Sequence, residues 1–110
     1  EDVIKAVKSL KYEIYETETF SKIFECLTER EKGWIRKMKV QIRSNPRTGK
    51  PLRFDWFREK KFENKRLYFI VSMKKPRILL ISYASKKEQQ KVIDYIMLHK
   101  DEYIDFLNTF

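Results

Sequence analysis

The sequence predicts an α+β domain in which a helical hairpin packs on one face of a mostly antiparallel, four-stranded sheet. Two short apolar runs, Leu67–Val71 and Ile78–Tyr83, are rich in β-branched and aromatic residues, which is typical of strands. Upstream, two segments place apolar residues at helical spacing, at residues 20–27 and 34–42. Helices followed by several strands indicate an α+β fold with the order β-α-α-β-β-β-α and an extended C-terminal helix.

Length and composition fit one such domain over residues 1–110. Of the 110 residues, 42% are hydrophobic and 15% aromatic, which suffices for a single packed core. No apolar run approaches the roughly 20 residues of a membrane-spanning helix. The one cysteine, Cys26, excludes an internal disulfide. We therefore expect a protein of a reducing, cytoplasmic setting that does not enter a membrane.

The first elements are predicted from short local signals. Residues 1–10 place apolar side chains at helical spacing, which is compatible with an additional N-terminal helix. Lys11–Glu16 is predicted as the first strand, with apolar residues on one face. Thr17 or Thr19 can then cap the first helix of the hairpin, because a threonine side chain accepts a hydrogen bond from the free amides of a helix start.

The middle of the chain is predicted to form the second helix, a loop and the first long strand. Thr28–Glu31 has the spacing of a capping box, which begins a helix that runs to about Arg43. Residues 44–51 contain proline, glycine and polar residues, so a loop is predicted, without the glycine spacing of a Walker motif. Residues 52–62 follow as a strand that begins near Phe54 or Trp56.

The last third is predicted as a hairpin and a helix. The connector at residues 72–77 is short enough for antiparallel pairing, and the apolar strands that it joins indicate a sheet covered on both faces. Ser85–Glu88 again has the spacing of a capping box and is predicted to start a helical segment over residues 85–110. Asp101 marks a point where this helix can kink or restart.

Positive charge is concentrated in the middle of the chain. The formal net charge is +9, but residues 36–91 carry 18 basic against 4 acidic side chains, while both flanking segments are net negative. A high content of lysine and glutamate alone would indicate only solubility or thermostability. A one-sided block of this kind favours recognition of a polyphosphate, most often a nucleic acid.

The predicted hairpins bring part of this charge to one end of the sheet. A tight turn at residues 63–64 folds the preceding strand back onto Arg66, and a hairpin centred near residues 74–75 places Tyr83 about opposite Arg66. Five cations are expected to meet there: Lys60, Lys61, Arg66, Lys86 and Lys87. A negatively charged ligand is expected to bind at this end.

Three segments share short motifs with a known family. Asn45–Leu52 (NPRTGKPL) follows an N-P…G-K-x-L pattern, and Lys65–Val71 (KRLYFIV) is similar to a Y-R-L-x-Y strand. Ile78–Glu88 (ILLISYASKKE) is similar to a last strand that runs into a basic turn. In this order and spacing, over about Lys11–Ile96, the motifs resemble the RelE/ParE superfamily, the small toxins of bacterial and archaeal toxin–antitoxin pairs.

The resemblance implies a ribonuclease of the RelE kind that cleaves messenger RNA in the ribosomal decoding site. It implies that no metal or other cofactor is used and that a partner antitoxin silences the toxin. Arg66 matches the family's arginine at the head of the third predicted strand, and Lys86 matches the arginine after the fourth. Lys61, with Lys60 or Arg58, matches the basic residues of the second predicted strand.

Phosphate chemistry suggests a role for each cation. Arg66 is the candidate for contact with the transition-state phosphate, because a guanidinium can grip it with two donors. Lys60 or Lys61 is the candidate general base or acid, because crowding among cations disfavours an ammonium. Lys86 is the candidate anion clamp at the start of a helix. Further candidates for substrate binding are Arg58, Lys87, Lys50, Arg53 and Tyr83.

Two functions other than RNA cleavage stay open at this point. Val92 falls where the family has a C-terminal tyrosine or histidine, which favours a non-catalytic relative such as a ParE-like gyrase inhibitor. A basic nucleic-acid-binding module outside the superfamily is the third hypothesis. The cationic cluster favours the ribonuclease, since a gyrase inhibitor needs no cationic catalytic surface. Either toxin hypothesis predicts an antitoxin partner, and the ribonuclease also predicts RNA as a partner.

Overall fold

The computed structural model describes residues 11–109, so the helix considered for residues 1–10 lies outside the described residues. The strands are β1 (Glu13–Glu16), β2 (Lys50–Leu52), β3 (Phe54–Phe62), β4 (Lys65–Val71) and β5 (Arg77–Ser85), and the helices are α1 (Glu18–Glu25), α2 (Glu29–Ser44) and α3 (Gln89–Thr109). The strands form one sheet of order β1-β5-β4-β3-β2, in which β1 pairs with β5 in parallel and the other pairs are antiparallel. The predicted α+β fold is confirmed.

The sheet has one strand more than predicted. Residues 44–51 were predicted as a loop, but Lys50–Leu52 forms β2 at the sheet edge beyond β3. A 3₁₀ turn, Pro46–Thr48, precedes it, and the Asn45 side chain accepts a hydrogen bond from the Arg47 amide at 3.1 Å. An edge strand tolerates Pro51 because one side of it needs no ladder donor, so the local breaker signals conceal the strand.

The two helices of the hairpin begin where their capping threonines predict. The Thr17 side chain accepts from the Phe20 amide at 3.0 Å and caps α1. Thr28 and Glu31 form the predicted capping box of α2, in which each side chain bonds to the backbone amide of the other residue. These bonds satisfy amides that have no partner within their own helix.

The C-terminal helix differs from its prediction at two points. The capping box expected at Ser85 does not form; a 3₁₀ turn, Lys86–Glu88, comes first and α3 begins at Gln89. The Lys86 amide instead donates to the Asn64 carbonyl at 2.7 Å, which ties this turn to the β3–β4 connection. The kink expected near Asp101 is absent, because an unbroken α3 runs through that position to Thr109.

Both faces of the sheet are covered, as the doubly apolar central strands predict. One face packs against α1 and α2, and its buried residues are Phe20, Ile35, Met38, Ile42, Leu67, Phe69, Val71, Ile78, Leu80 and Tyr83. The other face packs against α3, and its buried residues are Phe57, Tyr68, Ile70, Leu79, Ile81, Ile96 and Leu107. We call these the hairpin face and the α3 face. Alternate residues of β4 therefore belong to different cores.

Candidate functional site

The predicted convergence of β3, β4 and β5 at one end of the sheet is present. Glu63, with a φ of 54°, and Asn64 form the tight turn between β3 and β4. Lys61 lies directly opposite Arg66 across this hairpin. Arg66 lies opposite Ala84 of β5, one residue from the predicted register, because the β4–β5 pairing shifts after Tyr68. The 3₁₀ turn that contains Lys86 is bonded to Asn64 at the same end.

Strand alternation divides the predicted site residues between the two faces. Tyr68 belongs to the α3-face core, so Arg66, two residues earlier on β4, points to that face. Lys61 shares the α3 face because it is the cross-strand partner of Arg66. Lys60 pairs with Leu67 of the hairpin-face core and therefore points the opposite way. Lys60 therefore lies at the predicted end of the sheet, but the expectation that it lies opposite Arg66 is wrong.

Lys60 and Arg58 instead hold the β2–β3 segment in place on the hairpin face. The Lys60 ammonium donates to the Thr48 carbonyl at 3.3 Å, and partial burial lowers the pKa of this lysine. Arg58 is buried; it donates to the Gly49 carbonyl at 2.7 Å and pairs with the Asp55 carboxylate. Arg58 thus forms its hydrogen bonds within the protein, and its contact with substrate stays a prediction.

Tyr83 is also a structural residue. It is buried in the hairpin-face core, and its hydroxyl donates to a Glu31 carboxylate oxygen at 2.9 Å. Burial and this hydrogen bond raise the pKa of Tyr83. Lys65 donates to the same carboxylate at 2.6 Å, and these contacts lower the pKa of Glu31 to about 2. Tyr83 joins a helix to the sheet and exposes no ring on which a base could stack.

Four exposed lysines lie at the end of the sheet where Lys61 and Arg66 pair. Lys50 of β2 is the cross-strand partner of Glu59, so its side chain shares that face. Lys61 is exposed on β3, and the 3₁₀ turn after β5 carries two more exposed lysines. We call Lys50, Lys61, Lys86 and Lys87 the basic rim. Arg53 is not included in it, because it precedes the first residue of β3, at the opposite end of that strand from Lys61.

A buried pair of opposite charges lies inside the basic rim. Arg66 is 6% exposed and Glu59 is 7% exposed, and Arg66 Nε lies 3.9 Å from Glu59 Oε2. Arg66 Nη1 also donates to the Glu63 and Lys65 carbonyls at 3.3 and 3.1 Å, which fixes its guanidinium. Gln89, the first residue of α3, donates to Glu59 at 2.9 Å.

Sequence reasoning missed Glu59, although a signal for it was present. Glu59 is one of only 4 acidic residues among residues 36–91, and it lies two positions before Lys61, hence on the same face of a strand. Carboxylates are rarely buried unless they are paired or hydrogen-bonded, so an acid within a basic strand is a candidate for a specific role.

The arrangement can bind and orient an anionic phosphodiester. A guanidinium and several ammonium groups can contact phosphate oxygens, while the Glu59 carboxylate can accept a proton. Among residues 11–109, no group of three or more His, Cys, Asp and Glu side chains is placed to hold a metal ion. None of the described helices is both long and apolar enough to span a membrane.

The fold is that of known toxins. The E. coli RelBE toxin–antitoxin complex matches with a TM-score of 0.60 and 19% identity, over 67% of this chain and 95% of the compared chain. The RelBE2 complex from Mycobacterium tuberculosis matches with a TM-score of 0.60 and 18% identity, over 68% of this chain and 98% of the compared chain. A mutant of E. coli toxin RelE in the free state matches with a TM-score of 0.64 and 19% identity, over 73% of this chain and 88% of the compared chain. No family model and no curated protein matches the sequence significantly. The chain therefore has a RelE-like toxin fold.

Proposed function

We propose that the protein is the toxin of a type II toxin–antitoxin pair and that it cleaves messenger RNA as a metal-independent endoribonuclease, in the ribosomal decoding site. The observation that carries the proposal is the buried Glu59–Arg66 pair within the basic rim, on a RelE-like fold. A fold alone does not define an activity, and it is the chemistry of this site that supports cleavage of RNA.

The basic rim provides the binding step. Its four exposed lysines lie around one end of the α3 face and attract the phosphates of a single strand. Because such binding releases counterions, affinity for RNA is expected to fall steeply as salt is raised. Lysine contacts to phosphate carry no base information, so the rim positions RNA without selecting its sequence.

The buried pair provides the chemical step. Cleavage begins when a 2′-hydroxyl attacks the adjacent phosphorus, and the Glu59 carboxylate is the proton acceptor for that hydroxyl. Arg66 stabilises the charge that develops on the phosphate oxygens, and its backbone contacts hold it in position before the reaction. Lys61, opposite Arg66, donates a proton to the leaving 5′-oxygen. Lys86 clamps the neighbouring phosphate.

Access to the pair requires a local rearrangement. The Gln89 amide donates to Glu59, so the first residue of α3 occupies the carboxylate. RNA must displace this side chain before its 2′-hydroxyl reaches the carboxylate. The free energy needed to displace Gln89 from Glu59 favours a substrate that is already held in place, as messenger RNA is on a ribosome.

An antitoxin is the expected protein partner. Compared structures include RelBE complexes and a RelE mutant bound to an antitoxin RelBc peptide. We propose that a cognate antitoxin binds this protein and silences it, as one partner of a toxin–antitoxin complex.

A non-catalytic function is the second candidate, either gyrase inhibition or plain nucleic-acid binding. Val92, at the position where the resemblance would place a tyrosine or histidine, lines an apolar cavity of about 330 Å³ with Tyr95 and Ile96. It supplies no acid or base to the site. If Glu59, Lys61 and Arg66 do not complete the catalytic set, the basic rim serves for binding alone.

Mapping of messenger-RNA 5′ ends in a translating extract tests the proposal. The wild-type protein is expected to produce new ends inside ribosome-occupied codons. Arg66→Lys keeps the charge but loses the fork of donors, so these ends should become rare while the protein stays folded. If folded wild-type protein produces no new ends, the nuclease function is wrong, and gyrase inhibition is the next activity to measure.

A further inference from the structure

Tyr68 is a fully buried tyrosine whose hydroxyl has no partner. Its side chain is 0% exposed, and among residues 11–109 no group forms a hydrogen bond with Tyr68 Oη. The Gln89 side chain lies near this hydroxyl, but the hydrogen bond that its amide forms is the one to Glu59. An unpaired buried hydroxyl costs folding free energy that a phenylalanine would not cost, so its presence requires an explanation.

The unpaired hydroxyl belongs to the site already described. Tyr68 follows Arg66 by two residues on β4 and therefore points to the same face. Glu59 is its direct cross-strand partner, which brings the Cβ atoms of the two residues to about 5 Å. Three buried polar side chains, from two adjacent strands, thus meet beneath the first turn of α3.

At neutral pH this hydroxyl is a donor. Burial, and then the negative charge of Glu59, raise the pKa of Tyr68 to about 12. The group therefore keeps its proton, and it needs an acceptor oxygen that the described part of the chain does not supply. Because the Arg66 guanidinium is close by on the same face, the oxygen that fits best belongs to an anion.

We infer that the Tyr68 hydroxyl is a phosphate-binding group of the proposed active site and donates a hydrogen bond to a non-bridging oxygen of the scissile phosphate, beside Arg66. This rests on the proposed function. The hydroxyl reaches the phosphate once RNA has displaced the Gln89 side chain. A donor placed in advance at this point stabilises the charge that develops in the transition state.

Tyr68→Phe tests the inference because it removes the hydroxyl and leaves the ring. The measurements are the single-turnover rate of cleavage of ribosome-bound messenger RNA and the thermal unfolding midpoint. We expect the rate to fall about 100- to 1,000-fold, the loss typical of one such donor, while the midpoint stays constant or rises. Tyr103→Phe is the control, since Tyr103 is a partly buried tyrosine on α3 outside the site, and its pKa is also raised, to about 12. Its cleavage rate is expected to equal that of the wild type.

Each other result overturns the inference. If the wild type cleaves and Tyr68→Phe cleaves at the same rate, the hydroxyl binds no phosphate, and the proposed function stands without it. If the rate and the unfolding midpoint of Tyr68→Phe fall together, the hydroxyl is structural. If the folded wild type does not cleave at all, the proposed function fails and the inference fails with it.

Discussion

Replacement of Glu31 by glutamine tests how the helical hairpin is fastened to the sheet. Glu31 closes the capping box of α2 with Thr28, accepts a hydrogen bond from Tyr83 of β5 at 2.9 Å, and pairs with Lys65 of β4 at 2.6 Å. The Lys65 contact is the first cause of a pKa of about 2 for this carboxyl, against an ordinary value of 4.5. One side chain thus joins a helix start to two strands.

The pKa shift sets the size of the expected effect. A fall from 4.5 to about 2 corresponds to a contribution of about 3 kcal/mol to the free energy of unfolding at neutral pH. The Lys65 side chain is 36% exposed, so solvent screens part of the interaction, and about 1–2 kcal/mol is the expected loss. Glutamine has one acceptor oxygen in place of two, so the loss also includes a hydrogen bond, either to Thr28 or to Tyr83. The part of the loss that disappears at low pH is the part that reports the charge.

The effect depends on pH in a defined direction. Because the folded-state pKa lies below the unfolded one, the contribution is complete above about pH 5 and disappears as pH falls from 4.5 toward 2. Urea unfolding of wild type and Glu31→Gln at pH 7 should therefore differ by about 1–2 kcal/mol, and the difference should shrink at pH 3. Glu18→Gln, at a glutamate with an 83% exposed side chain, is the control and should change little at either pH.

The reasoning is refuted if Glu31→Gln unfolds at the same urea concentration as the wild type at pH 7. It is also refuted if the difference persists unchanged at pH 3, since the glutamate charge would then contribute nothing to it.

Two matched pairs of substitutions test other details of the fold by urea unfolding. Gly49→Ala should destabilise the protein by about 1–3 kcal/mol, because the added Cβ would lie 2.5 Å from the Phe69 ring. Gly33→Ala should stabilise α2 by about 0.5–1 kcal/mol, because its Cβ meets no atom within 4 Å. Shifts of both variants in the same direction would contradict this. Thr28→Ala should cost about 1 kcal/mol, while Ser85→Ala, at a cap with no side-chain hydrogen bond, should cost little; equal losses would contradict the caps described.

Most of the fold could be predicted because its signals are local. The apolar stripes of α1 and α2, the capping threonines and the doubly apolar strands each follow from residues close together in sequence. The edge strand β2 could not be recognised, because Pro51 reads as a breaker and only pairing with β3 makes the segment a strand. The start of α3 also depended on a distant contact, from the Lys86 amide to Asn64.

The candidate site was predictable in position but not in detail. Residue order and turns brought Lys61 and Arg66 together, but the face of each side chain depends on a register accurate to one residue. The inward roles of Arg58 and Tyr83 depend on partners 9 and 52 residues away, Gly49 and Glu31, and short motifs carry no information about them.

The most direct measurement compares Lys61→Ala with Lys60→Ala in single-turnover cleavage of ribosome-bound messenger RNA. The two residues are adjacent and equally charged, but one faces Arg66 and the other donates to the Thr48 carbonyl on the opposite face. Lys61→Ala is expected to slow cleavage about 100-fold or more, while Lys60→Ala should cleave at nearly the wild-type rate. Equal losses in both variants, or a larger loss in Lys60→Ala, would contradict a catalytic site on the α3 face.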